Sequence, residues 1–148
     1  MAAILNRVAL LWLLLAGVTI ACGVAAAAMM MSPPKDLDLS LRQSSAGGAY
    51  KIVLEPGTDP VPLRQIHSWT ISVTTPAGVP VDGAVIAVDG GMPQHGHGLP
   101  TKPQVTKELG HGRYLLEGVK FNMSGWWKLS VRVNGTKGTD EATFNLVL

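Results

Sequence analysis

The sequence predicts an all-β domain behind an exported N-terminus, and three observations carry that expectation. From Tyr50 onward apolar residues recur at every second position, the period of a half-buried strand. These runs follow one another at roughly ten-residue spacing, divided by Gly, Pro and Asn-Gly turn chemistry. No 3.6-residue period is visible beyond residue 48. Together they predict a single antiparallel immunoglobulin-like β-sandwich of about seven strands, preceded by an N-terminal apolar helix. A chain of 148 residues holds one such domain and not two.

The elements follow in chain order. Arg7 precedes a charge-free apolar run over residues 8–31 with a Leu-rich middle and the small stretch Ala25-Ala26-Ala27-Ala28. A positive start, an apolar centre and small residues at the end fit an export signal. The same run, at ~1.5 Å per residue, also spans a ~30 Å hydrocarbon layer as an uncleaved anchor. A third reading is a lipoprotein motif at Thr19-Ile20-Ala21-Cys22. All three readings carry the rest of the chain across a membrane, so residues 1–31 are expected as signal peptide or anchor. The domain then lies in the periplasm, free or membrane-anchored.

Residues 32–48 are polar and irregular, with Ser32-Pro33-Pro34 and Gln43-Ser44-Ser45-Ala46-Gly47-Gly48, and are expected to be a flexible tether. Residues 49–148 form the domain. Tyr50, Ile52 and Leu54 point inward in the first run. His67, Trp69, Ile71 and Val73 share one face of the cleanest strand, and Thr75-Pro76-Ala77-Gly78 turns the chain. Ala84, Ile86 and Val88 lead into a glycine-rich segment. Runs over residues 104–109 and 113–117 flank the turn Gly110-His111-Gly112. Val119, Phe121 and Met123 alternate next, then Trp127, Leu129, Val131 and Val133. Asn134-Gly135 turns into a last strand carrying Ala142, Phe144, Leu146 and Leu148.

The totals exclude several classes of function. A net charge of +2 with interspersed signs, and no basic stripe bearing aromatics, is no footprint for nucleic acid. Carboxylates stand singly, no nucleophile elbow appears, and no glycine-rich loop opens a helix that would hold phosphate. The chain is therefore not expected to be an enzyme. The single cysteine, Cys22, lies in the apolar run, so a metal held by the domain must use His, Met or carboxylate.

One segment concentrates such donors: Gly90-Gly91-Met92-Pro93-Gln94-His95-Gly96-His97-Gly98-Leu99-Pro100. Gly and Pro at that density predict a shaped loop. Side chains two apart on extended backbone project to one side, so His95 and His97 reach one ion, and Met92 adds a soft sulfur. Imidazole with thioether suits copper, whereas magnesium and calcium take oxygen. The plain alternative is a hairpin loop with solvated histidines. His67 is either a partly buried histidine bonded to a backbone carbonyl or a third imidazole at the same mouth. Met123, at a strand-to-strand corner, is either a gap-filling core residue or a second sulfur. His111, between two turn glycines, reads as exposed and not a ligand.

Three strings resemble the YtkA-like family, related to the FixH-like proteins. They are Pro62-Leu63-Arg64-Gln65-Ile66-His67-Ser68-Trp69, then Val88-Asp89 with the glycine–histidine segment, then Gly118-Val119-Lys120-Phe121-Asn122-Met123-Ser124-Gly125-Trp126-Trp127. The resemblance covers roughly residues 50–133. It implies a small extracytoplasmic bacterial β-sandwich with a signal or anchor, and relatives linked to copper handling and cytochrome oxidase maturation. Carried over residue by residue, the family's His and Met positions fall on His67, Met92, His95, His97 and Met123. The expectation is thus an extracytoplasmic copper-binding carrier or metal-site assembly factor, with a metal-receiving or membrane-protein partner. The rival is a metal-free immunoglobulin-like interaction module that docks on a membrane protein.

Overall fold

Alternating sequences become strands where one face can be buried, and most of the alternating runs among the described residues do so. A computed structural model describes residues 33–148, and every helix or strand element in them is a strand. The expected signal or anchor segment and Cys22 lie outside the described residues. The strands are β1 (Arg42–Ser44), β2 (Lys51–Pro56), β3 (His67–Thr74), β4 (Val85–Met92), β5 (His97–Gly98), β6 (Gln104–Gly110), β7 (Arg113–Val119), β8 (Trp126–Gly135) and β9 (Gly138–Val147).

They form one antiparallel sheet in the order β1-β2-β3-β7-β6-β4-β8-β9, with β5 paired to β4 off that path. The two ends of the sheet meet. The Ala46 amide donates to the Glu141 carbonyl at 2.8 Å, and the Asp140 carboxylate accepts from the amides of Gly47 (3.0 Å) and Ala49 (3.1 Å). The result is a barrel-like body of nine strands rather than the two separate sheets of about seven strands that the sequence suggests. The weakest seam is β4 against β6, a single pair, Ala87 with Gln104. The two additional strands are β5 and β1. Strand β1 lies inside the stretch expected as a tether, where Ser45 is also buried. The alternation over residues 119–123 makes no strand beyond Val119, and Phe121 forms an isolated parallel bridge with Leu63 instead.

The inward series is the one the alternation predicts. Ile52 and Leu54 from β2, Trp69, Ile71 and Val73 from β3, the odd-numbered residues Trp127 to Val133 of β8, and Phe144 of β9 are buried together. Burying side chains of this size contributes roughly 1.5–3 kcal/mol each, enough to hold the described domain, which contains no cysteine. Two buried phenols fasten the end of the body away from the glycine–histidine segment. Tyr50 Oη donates to the Gly138 carbonyl (2.6 Å) and accepts from the amides of Gly135 and Lys137. Tyr114 Oη donates to the Val81 carbonyl and accepts from the Ala84 amide. Burial pushes the Tyr114 phenol pKa up from its ordinary value.

Candidate metal centre

The glycine–histidine segment is only partly the loop its composition suggests. Strand β4 continues through Gly90 and Gly91 to Met92, and β5 takes up His97–Gly98. The reason lies in the glycines. A Cβ on Gly90 would stand 2.5 Å from the Lys128 carbonyl oxygen, and one on Gly91 would stand 2.3 Å from that of His97. These are strand glycines serving close backbone approach, not turn glycines. The true turn is residues 93–96. There the amides of His95 and Gly96 both donate to the Met92 carbonyl, at 3.1 and 3.0 Å, and Gly96 takes φ +64°.

That closure sets the register, Gly91 opposite Gly98 and Met92 opposite His97. Opposed residues of an antiparallel pair leave the same face with Cβ atoms ~4.5–5.5 Å apart. Met92 and His97 are therefore neighbours by construction. Met92 is 1% exposed, while His97 is open to solvent, so the pair runs from the core to the surface.

The facing wall is the corner between β7 and β8. Phe121 is fully buried and its carbonyl accepts from the Arg64 amide at 2.7 Å. Gly125 exchanges two backbone hydrogen bonds with Leu148, and Trp127 Nε1 donates to the Met123 carbonyl at 3.0 Å. A Cβ on Gly125 would come within 2.8 Å of Met92 Cε, so this glycine leaves room for the Met92 methyl group. The hairpin and the corner enclose a cavity of about 310 Å³ lined by Met92, His97, Gly98, Pro100, Asn122, Met123 and Trp127. Met123 stands at its rim, 43% exposed.

Of the five side chains singled out in the sequence, the fold brings Met92, His97 and Met123 to one cavity. His95 is exposed in the turn outside that lining, its ring nearly parallel to that of His97 (11°) with centroids 6.3 Å apart. His67 is not in the lining either. Its ring packs on Phe121 with centroids 5.7 Å apart, and Phe121 in turn packs on Trp127 of the cavity wall at 5.1 Å. His67 Nδ1 donates to the Gln65 carbonyl at 3.1 Å, because a carbonyl oxygen only accepts. Its Nε2, like Trp69 Nε1, is buried with no hydrogen-bond partner among the described residues. His111 sits exposed in its turn at φ +55°. Asn122 and Trp127 line the cavity without having been singled out as ligands. Trp127 reads from the alternation as core, which it also is.

A second, more polar groove of about 520 Å³ adjoins the hairpin, lined in part by Met92, Gly96, His97, Asp89, Lys128 and Arg132. Arg132 pairs with Glu141 at 3.0 Å on its floor. Hydrogen bonds from the Ser130 and Arg132 side chains hold the Glu141 carboxyl below its usual range. Met92, His97 and Gly98 line both the charged groove and the cavity that Met123 borders. Among the described residues no three His, Cys, Asp or Glu side chains converge.

Fold and cavity define a class: a small all-β domain with a sulfur- and imidazole-lined cavity under one hairpin. The family model for YtkA-like proteins matches residues 44–132, and the chain belongs to the YtkA-like family. The matched span contains both the hairpin and the Phe121–Trp127 corner. Among solved structures, a DUF4426 family protein from Pseudomonas aeruginosa PAO1 is similar at a TM-score of 0.52 and 13% identity, over 73% of this chain and 94% of that one. At that identity the likeness is one of fold. No curated protein sequence matches significantly.

Proposed function

We propose that the chain is an exported copper-binding protein, a carrier or metal-site assembly factor rather than a catalyst. The observation that carries this reading is the single cavity lined by Met92 and His97 from one hairpin and by Met123 from a corner about thirty residues on. Copper is the cargo. Two thioethers and an imidazole are soft and borderline donors, which favour Cu(I) through sulfur and accept Cu(II) through nitrogen. Zinc takes Cys, His and carboxylate, and gains little from a thioether.

A carrier must also release its ion. Met123, at the rim and 43% exposed, is a donor that an acceptor protein can reach and replace, while Met92 stays buried. Export rests on the charge-free run over residues 8–31, which puts the domain in the periplasm, free or anchored. The receiving partner is then a protein of that compartment or a membrane protein facing it.

The test is Cu(I) titration of the purified chain in competition with a chromophoric chelator. With Cys22→Ser as the background, so that no thiolate competes, the chain takes one equivalent at the cavity. Met92→Leu/Met123→Leu, which conserves volume, lowers affinity by about tenfold or more. Equal affinity in both ends the reading. A second reading, an immunoglobulin-like docking module, has support in the exposure of Ile66 (68%) and Met123 on segments joined through the Leu63–Phe121 bridge. A chain that stays copper-free yet co-purifies with a membrane complex selects it.

A further inference from the structure

We infer that His95 and His97 form a second, outer copper station, selective for Cu(II), that shares His97 with the thioether cavity. The inference rests on the copper reading above and divides its donors by oxidation state.

The division starts from placement. His97 is fixed by its pairing with Met92 and lines both the cavity and the polar groove. His95 is two residues away on the solvent side, in the turn, outside the cavity lining. Its ring is nearly parallel to that of His97, with centroids 6.3 Å apart. A metal-bound imidazole nitrogen stands about 2.0 Å from the ion and about 1.1 Å from its own ring centre, so two imidazoles on one ion have centres at most about 6.2 Å apart. The observed separation lies just beyond that limit, and since both side chains are exposed, rotation about their own side-chain bonds is what would bring a nitrogen of each onto one ion. Gly96, at φ +64°, holds the turn that makes this juxtaposition.

The donors then set the oxidation state. Met92 borders the groove as well, but at 1% exposure it is covered, so the exposed outer pair offers nitrogen without an open sulfur. Two imidazoles with solvent oxygen suit Cu(II), which favours tetragonal N and O ligation, whereas thioethers suit Cu(I). The groove that Gly96 and His97 line admits water to the remaining positions. Because one His97 serves both stations, the two exclude each other, and the domain holds one copper at a time.

The experiment uses the full chain in mild detergent with Cys22→Ser as background, so that no thiolate takes Cu(I). The background protein, His95→Ala, His97→Ala and Met92→Leu/Met123→Leu are titrated with Cu(II), and with Cu(I) under reductant. Electron paramagnetic resonance counts the nitrogens on Cu(II). His95→Ala is expected to lower Cu(II) affinity about tenfold or more, with loss of one imidazole nitrogen from the spectrum and little change in Cu(I) affinity. The double Met variant is expected to do the reverse, and His97→Ala to weaken both. Preloading with Cu(I) is expected to block Cu(II). Circular dichroism, with His95→Gln as a second variant, confirms an intact fold. If His95→Ala weakens both oxidation states equally, or neither, or if two coppers bind at once, the outer station is refuted while the copper reading stands. A background protein that binds neither ion refutes the copper reading itself.

Discussion

Gly91→Ala and Gly98→Ala are two chemically identical changes at facing positions of one hairpin, and the structure assigns them opposite outcomes. A Cβ on Gly91 meets the His97 carbonyl oxygen at 2.3 Å and the Gly98 Cα at 3.0 Å, both backbone atoms. Ordinary contact begins near 3.4 Å, so the His97 carbonyl must retreat by about 1 Å or the strand must twist away. A Cβ on Gly98 meets only the Gly90 carbonyl oxygen, at 3.7 Å, which is ordinary contact. Overpacking of the first kind costs about 1–3 kcal/mol, a fall of roughly 4–15 °C in melting temperature for a domain of this size. The same displacement moves His97 away from Met92 and Met123, and ligand shifts of that size weaken a preorganised site. Thermal unfolding and Cu(I) competition, run side by side on both variants, are the assay. Gly91→Ala lowers both readings and Gly98→Ala leaves both near wild type. If the two variants are indistinguishable, the close-approach account of the strand glycines is wrong.

Other consequences follow from groups elsewhere in the body. Tyr50→Phe removes three hydrogen bonds to the β8–β9 turn and leaves backbone groups unpaired. It should cost about 1–3 kcal/mol in denaturant unfolding without changing copper affinity, because Gly135 lies at the far end of β8 from Trp127. The Asp140 carboxyl is held well below the usual carboxylate range by hydrogen bonds from the Ser45 side chain and from the Gly47 and Ala49 amides. A carboxylate with a lowered folded-state pKa contributes stability that is complete above its unfolded pKa and is lost as pH falls toward the folded value. Urea midpoints measured downward from pH 6 should therefore fall less steeply for Asp140→Asn than for wild type below about pH 4. Identical slopes would remove Asp140 from the acid response.

Much of the fold is legible because strand alternation is a local signal. The inward phase of Ile52, Trp69, Ile71, Trp127, Leu129 and Phe144 needs no knowledge of which strands are neighbours. Strand β1 escapes this reading since it is a short, polar strand held to β2 by backbone hydrogen bonds, with Ala46 just beyond it bonded to β9, and such bonds leave no mark on composition. Gly90 and Gly91 mislead for a different reason. Glycine serves both turns and close backbone approach, and only the neighbouring Lys128 and His97 carbonyls tell the two apart. At the cavity the donor types are legible, but their meeting is not. Met123 joins Met92 and His97 through pairings between strands far apart in sequence and through the space Gly125 leaves beside Met92. His67 shows the converse, correct in phase and yet packed on Phe121 outside the cavity lining.

The most direct measurement of the central claim is X-ray absorption at the copper edge of the Cu(I)-loaded chain carrying Cys22→Ser. The account predicts two sulfur scatterers and one imidazole nitrogen, with the sulfur contribution gone in Met92→Leu/Met123→Leu. A first shell of nitrogen and oxygen alone, unchanged in that variant, would contradict it.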